Sequence, residues 1–460
     1  MNKSVTRRSR IVALLACMLA TPLAQALDPV KGLLVEPGSA GLGFVVRSSE
    51  SPYIGGGQRN DLVPLYLYEG KRIFLHASRG GLKLVNDGNT RVDVFLDYRF
   101  EGFPYDRVPA SLAGMQARGP SADLGIAAHY RVGAGAFGVE LVNDALGIHQ
   151  GSEMRLSYSA DWTRGRLHIR PAVSVSARSA RLNNYYYGVR PEEATALRPA
   201  YAPGAGSSAA LALYGDYDLS DGWRVLLGVG ANRFSSNVRD SPIVQNGTQR
   251  EIHVGLAYDF GSYRELSAEQ GSKLYVKALY GRSTDCNLIN TMTLRCASTN
   301  TDDNTRIAAI ELGRPFMQEV NGWPMDFVGY VGLLRHDENS LQPNSLELDA
   351  YMKAYYYGFP WSNRVKTRLG FGVGLSLAQR VPFVEMRDQL QRGRSASKVL
   401  NYLDPTIDVS VGDLFGSRTL KNTYVGLGVS HRSGAFGISK LLGNVDGGSN
   451  YIYSYLEYEM

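Results

Sequence analysis

The mature part of this 460-residue chain contains no uninterrupted apolar run of the roughly 18 residues that a membrane-crossing helix needs, which excludes helical membrane spans. Cysteine is scarce. Of three residues, Cys17 falls in the N-terminal leader, and only Cys286 and Cys296 remain beyond it. Histidine is little used, and the seven residues are scattered without metal-ligand spacing, so neither a metal nor a cofactor site is expected. A surplus of positive charge is largely missing as well: removing Lys3, Arg7, Arg8 and Arg10 takes the formal net charge from +6 to +2. The basic pI therefore gives no reason to expect nucleic acid as a partner.

Those four cations precede the apolar stretch 11–20, and Ala24-Gln25-Ala26 is a small-residue cleavage site. This is the pattern of an export signal, cleaved after Ala26 so that Leu27 begins the mature chain. Leu14-Leu15-Ala16-Cys17 is a rival lipoprotein box, although a cut there leaves only a few apolar residues before it. In an exported chain the two remaining cysteines, close together in a polar loop, are expected to form a Cys286–Cys296 disulfide.

What the chain has in abundance is strict alternation. Ile252, Val254, Leu256, Tyr258 and Phe260 share one face, with Glu251, His253, Gly255 and Asp259 opposite. Likewise Val92, Val94, Leu96, Tyr98 and Phe100 oppose Asp93, Asp97 and Arg99. Segments of about ten residues with apolar and polar faces are the pattern of strands between lipid and a polar lumen. Unpaired backbone amides are too costly in hydrocarbon for an open edge, so such strands must close into a barrel. The expected fold is all-β, with antiparallel outer-membrane barrels, and the expected location is the cell outer membrane, among lipid and lipopolysaccharide.

About twelve strand candidates lie between Gly38 and Phe260, among them 41–48, 63–68, 72–77, 122–132, 166–176, 208–219 and 223–234. A polar linker at 261–273 follows. Eight further segments are expected at 274–282, 306–316, 326–334, 346–357, 366–377, 405–414, 423–431 and 451–460. Both counts are even, as barrels with both termini on the periplasmic side require. The domain reading is thus an export signal at 1–26, a barrel at 27–260, a linker at 261–273 and a second barrel at 274–460. One larger barrel is the alternative. Gly370, Gly372 and Gly374, at period two within a strand, leave lumen space or permit a bend. Glu192-Glu193 reads as a solvated charge pair in a Pro- and Ala-rich loop.

Across residues 27–260 the sequence resembles the MipA/OmpV family. The resemblance is carried by Gly41-Leu42-Gly43, Ser51-Pro52-Tyr53-Ile54-Gly55, the 182–189 segment Leu-Asn-Asn-Tyr-Tyr-Tyr-Gly-Val, Asp240-Ser241-Pro242-Ile243-Val244 and Tyr258-Asp259-Phe260. It implies an outer-membrane protein that scaffolds a lytic transglycosylase and a bifunctional murein synthase. On the residues alone, Tyr185, Tyr186 and Tyr187 are expected to form an aromatic girdle at the bilayer interface.

In the second half, Val425, Leu427, Val429, His431 and Ser433 share a face opposite Tyr424, Gly426, Gly428, Ser430 and Arg432. Eight strands with a His-x-Ser pair in the penultimate one resemble the PagL-type lipid A deacylases. That likeness makes Ser433 the nucleophile and His431 its base. Gly434 stands where that family has Asn, and Asp446 is the nearest substitute for the missing Glu. The bland alternative is an interfacial strand end with a turn. Three function classes stand: a non-enzymatic envelope scaffold, a lipid A acyl hydrolase and a passive pore.

Overall fold

A computed structural model describes residues 40–460 except 71, 104–107, 120, 221, 261–270, 300, 392–395 and 434–447. The expected export signal, most of the linker and Asp446 lie outside the described residues. The chain forms two compact units, Met1–Asp259 and Phe260–Met460.

The first unit comprises β1 (Ala40–Glu50), β2 (Gln58–Glu69), β3 (Ile73–His76), β4 (Arg79–Asn86), β5 (Thr90–Arg99), β6 (Ser121–Val132), β7 (Gly135–Asp144), β8 (Ser152–Ala160), β9 (Leu167–Arg178), β10 (Gly206–Ser220), β11 (Trp223–Arg233) and β12 (Thr248–Asp259). Trp162–Arg164 prolongs β8 along β9 beyond Asp161. Each strand pairs with its sequence neighbours, and β12 returns to β1, closing a twelve-stranded antiparallel barrel. Alternation sets the faces as expected: Ile252 is 56% exposed on the outside, while the adjoining His253 is fully buried. The long loops, at 51–57, 100–120, 179–205 and 234–247, all lie at one end, which also carries the short turn 77–78, whereas the other end has only connections such as 133–134 and 221–222. Long loops face outward and short turns face the periplasm in such barrels.

The second unit comprises β13 (Tyr275–Ser283), β14 (Arg306–Met317), β15 (Met325–Asp337), β16 (Ser345–Tyr356), β17 (Thr367–Ala378), β18 (Val399–Ser410), β19 (Thr423–Ser433) and β20 (Asn450–Glu459). They close as an eight-stranded antiparallel barrel through the β13–β20 pairing. Each barrel closes on itself, which replaces the single-barrel alternative.

One strand boundary is corrected. The segment expected at 405–414 is β18, and Pro405 lies in its interior. The β18–β19 ladder passes from Leu403↔His431 to Thr406↔Gly428 and omits Asp404 and Pro405. Proline has no donor, so it is accommodated by a gap in the ladder rather than by starting the strand. Beyond Ser410, residues Val411–Phe415 turn into a short helix whose Asp413 N–H bonds the Ser410 hydroxyl at 3.2 Å.

The period-two glycines face inward. A Cβ at Gly370 would collide with Thr406 Oγ1, and one at Gly374 with the Ala350 carbonyl. Their absence of side chains makes room for the polar groups that fill the second barrel.

Candidate functional site

Four outer loops of the first barrel converge on one apolar cluster containing Tyr53, Phe103, Leu182, Tyr186, Tyr187 and Val238. Its centre is helix α1 (Ala180–Tyr187), started by Ser179, whose side chain accepts the Leu182 N–H. Tyr185–Tyr187 are therefore not an interfacial girdle. Tyr186 and Tyr187 are buried in a cap over the barrel mouth, where Tyr53 stacks on Tyr187 with ring centroids 5.7 Å apart. Burial raises the hydroxyl pKa of both Tyr186 and Tyr187.

Glu193 is likewise not a solvated charge, being only 3% exposed. It receives Arg118 Nη1 at 2.9 Å and the backbone N–H groups of Gln116 and Arg190 at 3.0 and 3.1 Å. Burial alone would raise its pKa, but the Arg118 hydrogen bond and these backbone donors hold the carboxyl below its ordinary value. The pair ties the 100–120 loop to the 179–205 loop.

Beneath the cap lies a cavity of about 130 Å³, lined in part by Tyr53, Arg99, Glu101, Arg155, Arg178 and Tyr187. Its charges are paired: Arg178 meets Glu101 at 2.6 Å, and Arg99 and Arg155 meet Glu153 at 2.8 and 3.1 Å.

The second barrel is filled. At mid-height Lys277 reaches Glu311 at 2.8 Å and Asp404 at 3.2 Å, with Lys353 on the same Asp404 oxygen at 2.6 Å. Towards the periplasmic end Arg368 forks onto Asp408 at 2.8 Å and touches Glu457 at 2.7 Å. At the outer end Arg432 joins Glu347 and Glu385, both at 2.9 Å. Glu385 comes from helix α2 (Phe383–Gln391) in an outer loop, and burial raises its pKa against the opposing pull of Arg432. A passive pore is not favoured, since these described side chains are packed against one another inside the lumen and buried.

Arg432 points inward, so His431 and Ser433 take the opposite parity, that of Leu427, which is 59% exposed on the outer surface. They nevertheless do not lie open, being 6% and 5% exposed, with helix Leu288–Met292 against their strand. His431 Nδ1 lies 2.6 Å from Asn450 Oδ1, an acceptor, so the imidazole is the donor in this contact, and it also hydrogen-bonds the Ser449 backbone. The Ser433 carbonyl accepts the Asn401 amide at 3.2 Å. Thus β19 carries His431 and Ser433 on one face and β20 adds Asn450, a partner that spacing alone did not reveal. Asp446, the expected acid, is outside the described residues. Cys286 and Cys296 are joined as a disulfide with Cα atoms 5.7 Å apart, closing the loop that follows β13.

Residues 42–260 match the MltA-interacting protein MipA family, a span that runs from β1 to the end of β12. The first barrel belongs to this family. Among its relatives, the outer membrane protein Omp26La of Vibrio anguillarum is 32% identical over 160 residues, covering 35% of the chain and 62% of Omp26La. OmpV of Vibrio cholerae aligns to the same extent, so the chain spans about three fifths of these two relatives. The MltA-interacting protein of Escherichia coli K12 is 26% identical over 231 residues, covering 50% of the chain and 93% of that protein. With MipA-family sequence in one barrel and two closed barrels overall, the chain is an outer-membrane β-barrel protein. The family match ends before the second barrel.

Proposed function

We propose that this protein is a membrane-embedded scaffold that holds murein-remodelling enzymes at the envelope, with a lytic transglycosylase as first partner and a bifunctional murein synthase as second. The observation that carries the reading is the MipA-family first barrel, whose relatives include a protein named for interaction with MltA. Physical support comes from the interiors: a barrel with a buried apolar cluster over its mouth and a barrel packed with ion pairs favour a role for their surfaces over a route for solute. The short-turn ends are the faces available to periplasmic partners. The full chain, tagged and crosslinked in intact cells, should recover the transglycosylase at levels well above an unrelated outer-membrane barrel. Recovery at the control level, together with ion conductance in planar bilayers, would replace the scaffold by a pore.

A second reading, hydrolysis of an acyl ester of lipid A, is favoured by the His431–Asn450 hydrogen bond, which would orient the imidazole as a base. In that chemistry His431 takes the Ser433 proton while the serine oxygen attacks the ester carbonyl, and then passes that proton to the leaving alkoxide. A water deprotonated by the same imidazole then cleaves the acyl-serine, freeing the fatty acid and restoring Ser433. Strong expression should then yield lipid A lighter by one acyl chain. Ser433→Ala should restore the full mass, and Asp446→Ala should lower the conversion if that acid assists His431. An unchanged lipid A mass spectrum in the wild-type strain would dismiss this reading and leave the scaffold untouched.

A further inference from the structure

Just above the apolar belt of the second barrel, three arginines stand on neighbouring strands. Arg282 of β13 and Arg306 of β14 are direct cross-strand partners, and Arg335 of β15 sits opposite Ala308, two residues along the same face from Arg306. Their parity is outward: Tyr280, Ile310 and Leu333, on the same faces one or two steps below, are all exposed. The three residues lie at the long-loop ends of their strands, which is the level of the outer leaflet's headgroups. None of the three guanidinium groups has an ion pair or hydrogen bond among the described residues.

Like charges set directly opposite one another destabilise a sheet, and here the sheet borders hydrocarbon, where an unmatched charge is more costly still. Asp337, opposite Arg306 in register, is the acid on that face, and it accepts the Asn339 N–H at 3.4 Å. It leaves two of the three positive charges uncompensated. Asp285, the next acid after Arg282 in the chain, is engaged by Arg387 at 3.1 Å. Side chains related directly and diagonally across adjacent strands are about 5 and 7–8 Å apart at their bases, within reach of a common anion for residues as long as arginine. The guanidinium fork matches phosphate oxygens, and the exposed apolar rows immediately below match acyl chains.

We propose that Arg282, Arg306 and Arg335 form a binding site for the phosphate of a phosphorylated lipid headgroup in the outer leaflet, with the apolar belt beneath them taking its acyl chains. The site rests on the outer-membrane placement and is independent of the scaffold reading, so either can fail alone.

The test uses the full chain in phosphatidylcholine vesicles doped with bisphosphorylated lipid A, extraction in mild detergent and native mass spectrometry of retained lipid. Wild-type protein should keep lipid A through extraction, and retention should fall as salt rises. The triple variant Arg282→Gln, Arg306→Gln, Arg335→Gln should lose about tenfold in retention, whereas the corresponding triple lysine variant should keep most of it, because charge survives while the fork is lost. Dephosphorylated lipid A offered to the wild type should be retained no better than phosphatidylcholine, an arm that decides the matter even if the glutamine variant does not insert. Equal retention of the dephosphorylated lipid, or an unaffected glutamine variant, would overturn the site. Displacement of the lipid by equimolar inorganic phosphate would overturn the commitment to a lipid, as would recovery of an acidic protein in its place.

Discussion

Replacing Arg118 by methionine should loosen the cap of the first barrel by about 3–5 kcal/mol, the usual cost of stranding one member of a buried ion pair. Both partners are almost fully buried, and the Glu193 carboxylate would keep its backbone donors but lose the guanidinium fork of Arg118. The expected readout is cleavage of the 179–205 loop by protease added to intact cells, under conditions in which the wild type should stay intact. Arg118→Met combined with Glu193→Leu should recover most of the resistance, because removing both charges leaves no orphan. The sign of the pH effect follows from the carboxyl held below its ordinary value. A group whose folded pKa is depressed contributes stability above its unfolded pKa and loses it as pH falls through the folded one. Wild-type cap resistance should therefore decline on acidification below the ordinary carboxylate range, and Glu193→Gln should be weaker at neutral pH yet flat across that window.

The barrels were legible in the sequence because membrane strands declare themselves at period two. Ile252 against His253, or Leu427 against Arg432, needs no knowledge of distant residues, since lipid on one side and polar lumen on the other sort each strand by itself. Evenness of the strand count then followed from the requirement to close. The cap was not legible for the opposite reason. Arg118 and Glu193 are 75 residues apart, and Tyr53, Phe103, Leu182 and Val238 come from four separate loops with no shared period. Three consecutive tyrosines looked like an interfacial belt because belts and buried clusters use the same residue. Only the turn of helix begun at Ser179 rolls Tyr186 and Tyr187 inward. The start of β18 was not legible either, because Pro405 lies inside the strand and the ladder to β19 skips it and continues. At the candidate site, the pairing of His431 and Ser433 on one face was visible in the alternation. Asn450 was not, because it arrives across an interstrand contact of 19 residues' separation.

The face on which that pair lies is tested by its neighbour, since Arg432→Leu should be the most damaging single change in the second barrel. Arg432 is 1% exposed and donates to Glu347, Glu385, the Ser376 hydroxyl and the Ser397 carbonyl, at 2.6 to 2.9 Å. Leucine would leave Glu347 with His336 at 3.1 Å and Ser376 but no arginine, and Glu385 without this cation. The loss should reach or exceed about 3–5 kcal/mol and release helix α2 from the barrel mouth, exposing the 379–398 loop to protease. His431→Ala, one residue away, removes the hydrogen bonds to Asn450 and to the Ser449 backbone and should cost about 2 kcal/mol. Urea unfolding of the protein in vesicles measures both, with Arg432→Gln plus Glu385→Gln expected to regain part of the loss. The contrast is diagnostic because a one-residue slip of a strand exchanges its two faces. If His431→Ala proved severe and Arg432→Leu mild, β19 would run in the opposite register, placing His431 and Ser433 in the lumen. That outcome would remove the physical basis of ester hydrolysis at the membrane face while leaving the MipA-family match of the first barrel, and the scaffold proposal that rests on it, unaffected.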